Sequence, residues 1–402
     1  MESRERVRTN AAAGSVNARR RGGLAPRFPK RGLLGVALLV GLVGSAIPPA
    51  RAQAPERSGV PVQDLSGWAA QGGVTVGQDG SSARFDTGVL LAESLPAFQD
   101  GAIELEVQLT GHRAFVYVRF RDAGDGNWEE IYLRAHKSDL PDALQYTPVI
   151  SFSSQWQIFH GPGGTAPIPL DVERWTRLRL EFSGSALAVF WGAAAEPALV
   201  VPRLAHAPRP GRVSLRSFIP RGAEAPFAAR MRNVRVEPGA PLSSAARVAL
   251  DRAEAEAGPN GPFFDDWTVG PRFTAETKTS NTLPKVEEWS PIGTEPDGKV
   301  LFHRLGNGDG IDAIVARHVV EAAEAEMRAL DLGFSDAVTV FLNGRPVASL
   351  DQSYRFDAPR VQGVMGWHQA RIYVPLEAGR NELHFLVTDS FGGWGLMARW
   401  SN

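Results

Sequence analysis

Ten residues between Tyr117 and Trp156 have the side chains to hold or act on a polar ligand. Tyr117, Arg119, Arg121, Glu130, Tyr132, Arg134 and His136 come first, followed by Gln145, Tyr146 and Trp156. Sugar recognition needs aromatic faces to stack on pyranose rings and fixed polar groups to pair with hydroxyls. Both are present. Three arginines against one glutamate leave surplus positive charge, which favours an acidic or carboxylated ligand, because arginine grips a carboxylate as a bidentate fork. Acid–base chemistry would fall to Glu130, with His136 as its proton partner and Asp142 in reserve. A solvated sheet face whose Arg–Glu pairs satisfy one another is the competing reading.

The elements that must position these groups are two strands and a turn. The first arm is Phe115-Val116-Tyr117-Val118-Arg119-Phe120-Arg121, and the return arm runs from Trp128 to His136. Side chains alternate faces along a strand. Val116, Val118, Phe120, Ile131, Leu133 and Ala135 therefore form an apolar face. Tyr117, Arg119, Arg121, Glu130, Tyr132, Arg134 and His136 are expected on the opposite one.

Other chemistries find little support. The chain has no cysteine, which removes disulfides, thiolate metal sites and cysteine nucleophiles. No histidine pair has zinc spacing, and neither a Gly-x-Ser-x-Gly elbow nor a phosphate loop occurs. Calcium is the one cofactor left open. Asp122, Asp125 and Asn127, and likewise Asn307, Asp309 and Asp312, resemble half a calcium loop without its terminal glutamate. Turn chemistry alone also enriches Asp, Asn and Gly. Further along, Trp289, Trp367 and Trp394 are aromatic candidates, with Trp394, between glycines, reading better as a core plug.

The chain has 402 residues, 43% of them hydrophobic and 22% charged, a globular composition. Residues 1–52 read as an export signal. A basic stretch containing Arg19-Arg20-Arg21 precedes an apolar run from Gly32 to Ile47, and Ala50-Arg51-Ala52 supplies a cleavage signature. That run is shorter than the roughly 20 residues of a membrane span, so a cleaved signal with no span left afterwards is expected, a retained anchor being the competing reading. Residues 1–52 hold ten of the 43 Lys/Arg and two of the 44 Asp/Glu, so the remainder carries 33 and 42, a net charge of −9. An acidic chain without a basic tract argues against nucleic acid. Its expected location is the periplasm or exterior of a bacterium.

Beyond the signal, strand patterns dominate. Gly101–Leu109 and Thr176–Phe182 alternate strictly, Ser183-Gly184-Ser185 turns the latter into Ala186–Trp191, and Gly211–Leu215 and Ala228–Val236 follow. Ser243–Ala257 is the one helical stretch, capped by serine and stopped by Gly258-Pro259. Val338–Leu342 then leads into Asn343-Gly344, a strong two-residue hairpin signal. Ala370–Val374 and Glu382–Val387 complete a second β region. The expected fold is all-β, with two β-sandwich (jelly-roll) domains at 57–240 and 263–402 joined by a short helical linker at 241–262.

Phe98-x-x-Gly101-x-Ile103-Glu104, Val118-x-Phe120-Arg121 and Gly211-Arg212-Val213-Ser214-Leu215 resemble the concanavalin A-like lectin/glucanase superfamily, closest to its laminin-G-like and 3-keto-disaccharide-hydrolase-type members. Leu332–Asp336, Val340–Arg345, Pro375–Leu383 and Gly392-Gly393-Trp394-Gly395 resemble the galactose-binding-like sandwich. The first resemblance implies a ligand on the concave sheet, where the polar hairpin face would lie. It also implies Glu-x-Asp-x-x-Glu on one strand in the glucanases, a motif this chain lacks. An exported carbohydrate-binding or accessory protein is the leading expectation. A glycoside hydrolase using Glu130, and a structural or adhesive envelope protein, stay open beside it.

Overall fold

The computed structural model describes residues 59–257, 261–308, 310–356 and 362–401. The predicted signal lies outside the described residues, as do Gly258-Pro259 of the helix stop and Asp309 of the second half-loop. The chain is all-β, with two β-sandwiches and a short helix between them. Among the described residues, no helix is long and apolar enough to cross a membrane.

The first sandwich is one sheet folded over on itself. Its hydrogen-bonded order is Leu199–Val201, Ala186–Trp191, Trp175–Ser183, Gly101–Leu109, Ala229–Pro238, Ser82–Leu91, Arg212–Phe218, Phe115–Asp122, Glu129–Arg134, Leu144–Tyr146 and Thr165–Ala166. Ser82–Leu91 turns the corner. Its first half pairs with Ala229–Arg232 and its second with Ser214–Ser217. Gly88 sits at that switch because a Cβ there would lie 2.4 Å from the Gln71 carbonyl oxygen. Folding brings the two halves face to face, with the Phe120 and Phe182 rings 4.5 Å apart in the shared core.

Alternation explains which side chains fill that core. Ile103, Leu105, Val107 and Leu109 are buried, as are Val116, Val118, Phe120, Ile131 and Leu133 from the hairpin. Burying side chains of this size stabilises the fold by about 1.5–3 kcal/mol each.

The helix spans Ser244–Ala257, and the Ser243 Oγ caps it by accepting from the Ala246 amide at 3.2 Å. It packs on the first sandwich, where Ala246 meets Ala188 and Phe190.

The second sandwich has two sheets. One runs Ser290–Ile292, Trp267–Val269, Ile311–Ala322, Gly379–Asp389, Ala337–Leu342 and Arg345–Asp351; the other runs Val300–Leu301, Gly395–Trp400, Glu326–Ser335 and Ala370–Leu376. Asn343 and Gly344 take φ of +49° and +79°, the left-handed pair that a primed two-residue turn requires.

Candidate functional site

Four adjacent strands of the first sandwich set side chains into rows. Register aligns Phe218 with Phe115 and Arg134, then Arg216 with Tyr117, Tyr132 and Gln145, then Ser214 with Arg119 and Glu130. Because the intervening residues belong to the core, all three rows share the outward face. Except for Ser214 and Gln145, which are buried, their side chains make the floor of a pocket of about 1060 Å³.

The floor's charges are held unequally. Arg119 lies 3.7 Å over the Trp128 ring, donates to Asp122 at 3.2 Å, and has its Nε 3.7 Å from Glu130. Trp128 Nε1 donates to Glu130 at 2.9 Å. Arg134 is fixed by Asp142 at 2.6 Å, by the Tyr132 hydroxyl and by Gln145, and Lys137 shares Asp142 at 2.5 Å. Arg216 differs. Its guanidinium lies 4.7 Å over Tyr117 and makes no hydrogen bond or ion pair among the described residues.

Burial sets the protonation states. It raises the Glu130 carboxyl above its usual range, with Arg119 and Arg216 pulling the other way. It lifts the Tyr117 and Tyr132 hydroxyls well above theirs, so both stay protonated donors. Burial, reinforced by Arg113, Arg134 and Lys137, pushes His136 down to about 4, so it is neutral at ordinary pH.

The walls come largely from elsewhere. The loop after Tyr146 supplies Phe152 and Trp156, and the second sandwich supplies Tyr354, Phe356, Phe391 and Gly392. Two buried glutamines lock these parts together. Gln157 accepts from the Gly393 amide at 2.9 Å and donates to Asp336, while Gln155 bonds to His303 at 3.1 Å. Ser153 donates to the Gly392 carbonyl at 2.8 Å, and Ile158 packs among Leu301, Met365 and Met397.

Several predicted site residues take other positions. Arg121 is turned away from the pocket. A bulge opposite Val213 gives it φ of +54° and an extra step in the strand. Its guanidinium runs inward to Asp100 and to the carbonyls of Gln99 and Gly184. Gly211 accommodates the bulge, since a Cβ there would lie 2.1 Å from the Arg121 carbonyl carbon. Tyr146 pairs with Ile131, which puts it in the core; its hydroxyl donates to Glu129 at 2.6 Å and accepts from the Ala205 amide. Gln145 is in its predicted row but fully buried, donating to the carbonyls of Trp156 and Phe159. His136 lines the pocket and packs on Phe115. The strand ends at Arg134, and His136 stands beyond it in a 3-10 turn, not on the strand face that alternation assigned. Glu130 is four strand residues, about 13 Å, before that end, so the two do not share a proton. Asp142 is a buried counter-ion to Arg134 and Lys137 rather than a free acid.

The half-loop at 122–127 is spent on turn bonds and on Arg209, which pairs with Asp125 at 2.6 Å and holds that carboxyl down at about 2. In the other, Asp312 pairs with Arg272 at 2.5 Å. Trp394 is a core plug, and Trp289 and Trp367 lie away from the pocket, against Arg317 and Arg399. Sequence reasoning missed Arg113, Trp128, Arg216, Phe218, Tyr354, Phe356 and Phe391. For Arg216 and Phe218 a signal was present, since both continue the alternation of Arg212–Phe218.

The outer face of the other half of the sheet shows what an ordinary charged surface looks like here. Glu104 meets Arg177 at 2.7 Å, Glu106 meets Arg232 at 2.7 Å, and Arg179 bridges Glu181 and Glu237 at 2.8 Å each. There Glu104, Glu106, Glu181 and Glu237 each meet an arginine, while Arg230 bonds to Gln108 and lies over Phe227. Six cations line the pocket (Arg113, Arg119, Arg134, Lys137, Arg216 and Arg221) with one carboxylate, Glu130. Asp122 pairs with Arg119, and Asp142 with Arg134 and Lys137, so six cations meet three carboxylates.

No family model matches the chain. No curated protein matches it either. Among solved structures, it is similar to the carbohydrate-binding module CBM66 of Bacillus subtilis, with 17% identity and a TM-score of 0.31, over 42% of this chain and 95% of that one. It is similar to galectin LEC-6 of Caenorhabditis elegans, with 10% identity and a TM-score of 0.27, over 41% and 95%. A β-glucanase of Bacillus licheniformis gives 10% and 0.30, over 42% and 91%. The likeness is of fold.

Proposed function

We propose that this is an exported carbohydrate-binding protein, periplasmic or secreted after loss of residues 1–52, that holds an acidic glycan in the pocket between its two sandwiches (57–240 and 263–402). The observation that carries this reading is Arg216. Its guanidinium makes no hydrogen bond or contact ion pair among the described residues and lies on a tyrosine in an aromatic pocket where cations outnumber carboxylates, with Glu130 as its electrostatic neighbour. A carboxylate is the complement of that fork, and the Tyr117 hydroxyl and Glu130 can serve sugar hydroxyls, whereas the Tyr132 hydroxyl is engaged by Gln145 and Arg134.

Glu130 is better suited to accepting a hydroxyl proton in a hydrogen bond than to cleaving a glycoside. Glycosidases use two carboxyl groups about 5–10 Å apart, and among the described pocket residues Glu130 stands alone. A glycan array holding neutral, uronate-containing and sulfated oligosaccharides tests the proposal. Binding confined to the acidic members, lost in Arg216→Ala, is expected. Absence of binding throughout would favour an envelope structural role. Release of reducing sugar that disappears in Glu130→Gln would favour hydrolysis.

A further inference from the structure

All four exposed phenylalanines among the described residues line this one pocket: Phe152 (73% exposed), Phe218 (38%), Phe356 (75%) and Phe391 (45%). A cluster of exposed apolar rings bordered by polar groups marks a recognition surface. Their arrangement is informative. Phe356 and Phe391 join Tyr354 in a three-ring cup, with centroids 4.8, 5.5 and 5.3 Å apart and planes inclined at 88°, 38° and 59°. Trp156 closes its side, 5.8 Å from Tyr354 at 86°.

A pyranose stacks on a single flat face. Three mutually tilted rings offer instead a concave apolar corner, which suits a compact apolar group. The cup also adjoins the charged floor. Trp156 has the Arg134 guanidinium 6.0 Å from its ring centroid, and the Tyr354 hydroxyl accepts from Arg113 at 3.4 Å. A ligand filling both parts must be charged at one end and apolar at the other.

We infer that the ligand is a glycoside, an acidic sugar whose apolar aglycone, aromatic or branched aliphatic, seats in the cup of Tyr354, Phe356 and Phe391. This rests on the acidic-glycan reading and adds to it the class of substituent.

The test is titration calorimetry with the methyl and phenyl glycosides of glucuronic and galacturonic acid. The phenyl member of the bound pair should bind about tenfold more tightly, as expected for one added aromatic contact and its buried area. The Phe356→Ala/Phe391→Ala double variant should bring the phenyl-to-methyl ratio close to one. Both rings are exposed, so a thermal melt should show the variant folded. Arg216→Ala should weaken both glycosides and preserve their ratio. A wild-type ratio near one, or a ratio unmoved by the double variant, would overturn the inference and leave the acidic-glycan reading standing. If neither glycoside of either sugar binds, the inference falls, and the glycan array decides the acidic-glycan reading separately.

Discussion

Asp142 accepts from the Arg134 guanidinium at 2.6 Å beneath the pocket floor, and both side chains are almost wholly buried. The pair organises the site from below, because Arg134 in turn fixes Tyr132 and Gln145. Removing one charge of a buried pair strands the other, at a cost of roughly 3–5 kcal/mol. Asp142→Asn should therefore lower stability by about 3 kcal/mol in denaturant unfolding. A midpoint unchanged from wild type would mean that the pair is not structural.

Tyr146 should behave as a core residue. Its hydroxyl serves Glu129, a fully buried carboxyl pushed up to about 7 by burial. Tyr146→Phe leaves that group short of a donor and should cost about 1–3 kcal/mol. Ligand affinity of the folded variant should stay within twofold of wild type. A large affinity loss with no stability loss would restore Tyr146 to the binding surface.

His136 supplies no charge switch. Held down at about 4 by burial and the neighbouring cations, it is neutral throughout the range above pH 5. Its ring resonances, followed by NMR, should show no inflection between pH 5 and 8. An inflection near 6.5 would show an exposed, ordinary imidazole.

Asp389 makes stability depend on pH in the opposite direction to an ordinary ion-paired carboxylate. Burial first, and the nearby Asp336 charge second, raise it to about 8. Between its unfolded value near 4 and about 8 the folded state holds the extra proton. Stability is thus full below pH 4 and declines as pH rises towards 8, by at most about 1.4 kcal/mol per pH unit. Asp389→Asn should flatten that slope, read as unfolding midpoints at pH 5 and pH 8. Identical slopes in variant and wild type would contradict the assignment.

The hairpin was readable from sequence because alternation is local. Every position from Val116 to Phe120 and from Glu130 to Arg134 has the face that a period of two assigns. The reading failed at Arg121, where a bulge inserts one residue and reverses the side chain. It failed at Tyr146 because the facing of that short strand follows from its pairing with Ile131, which only the folded sheet fixes. The walls were out of reach for another reason. Tyr354 and Phe391 come from segments about two hundred residues away, brought in by the buried bonds of Gln155 and Gln157. Conversely, the Asn343-Gly344 turn and the Ser243 cap were legible because each is specified within a few residues.

The central claim is that Arg216 grips an acidic group of a glycan. Titration calorimetry of an acidic oligosaccharide taken from the array, against wild type and Arg216→Ala, measures it directly. The account predicts at least a tenfold loss of affinity in the variant, about 1.4 kcal/mol, with melting temperature unchanged and with wild-type binding weakening as salt rises. Equal affinities in the two proteins, or tighter binding of the neutral counterpart, would contradict it.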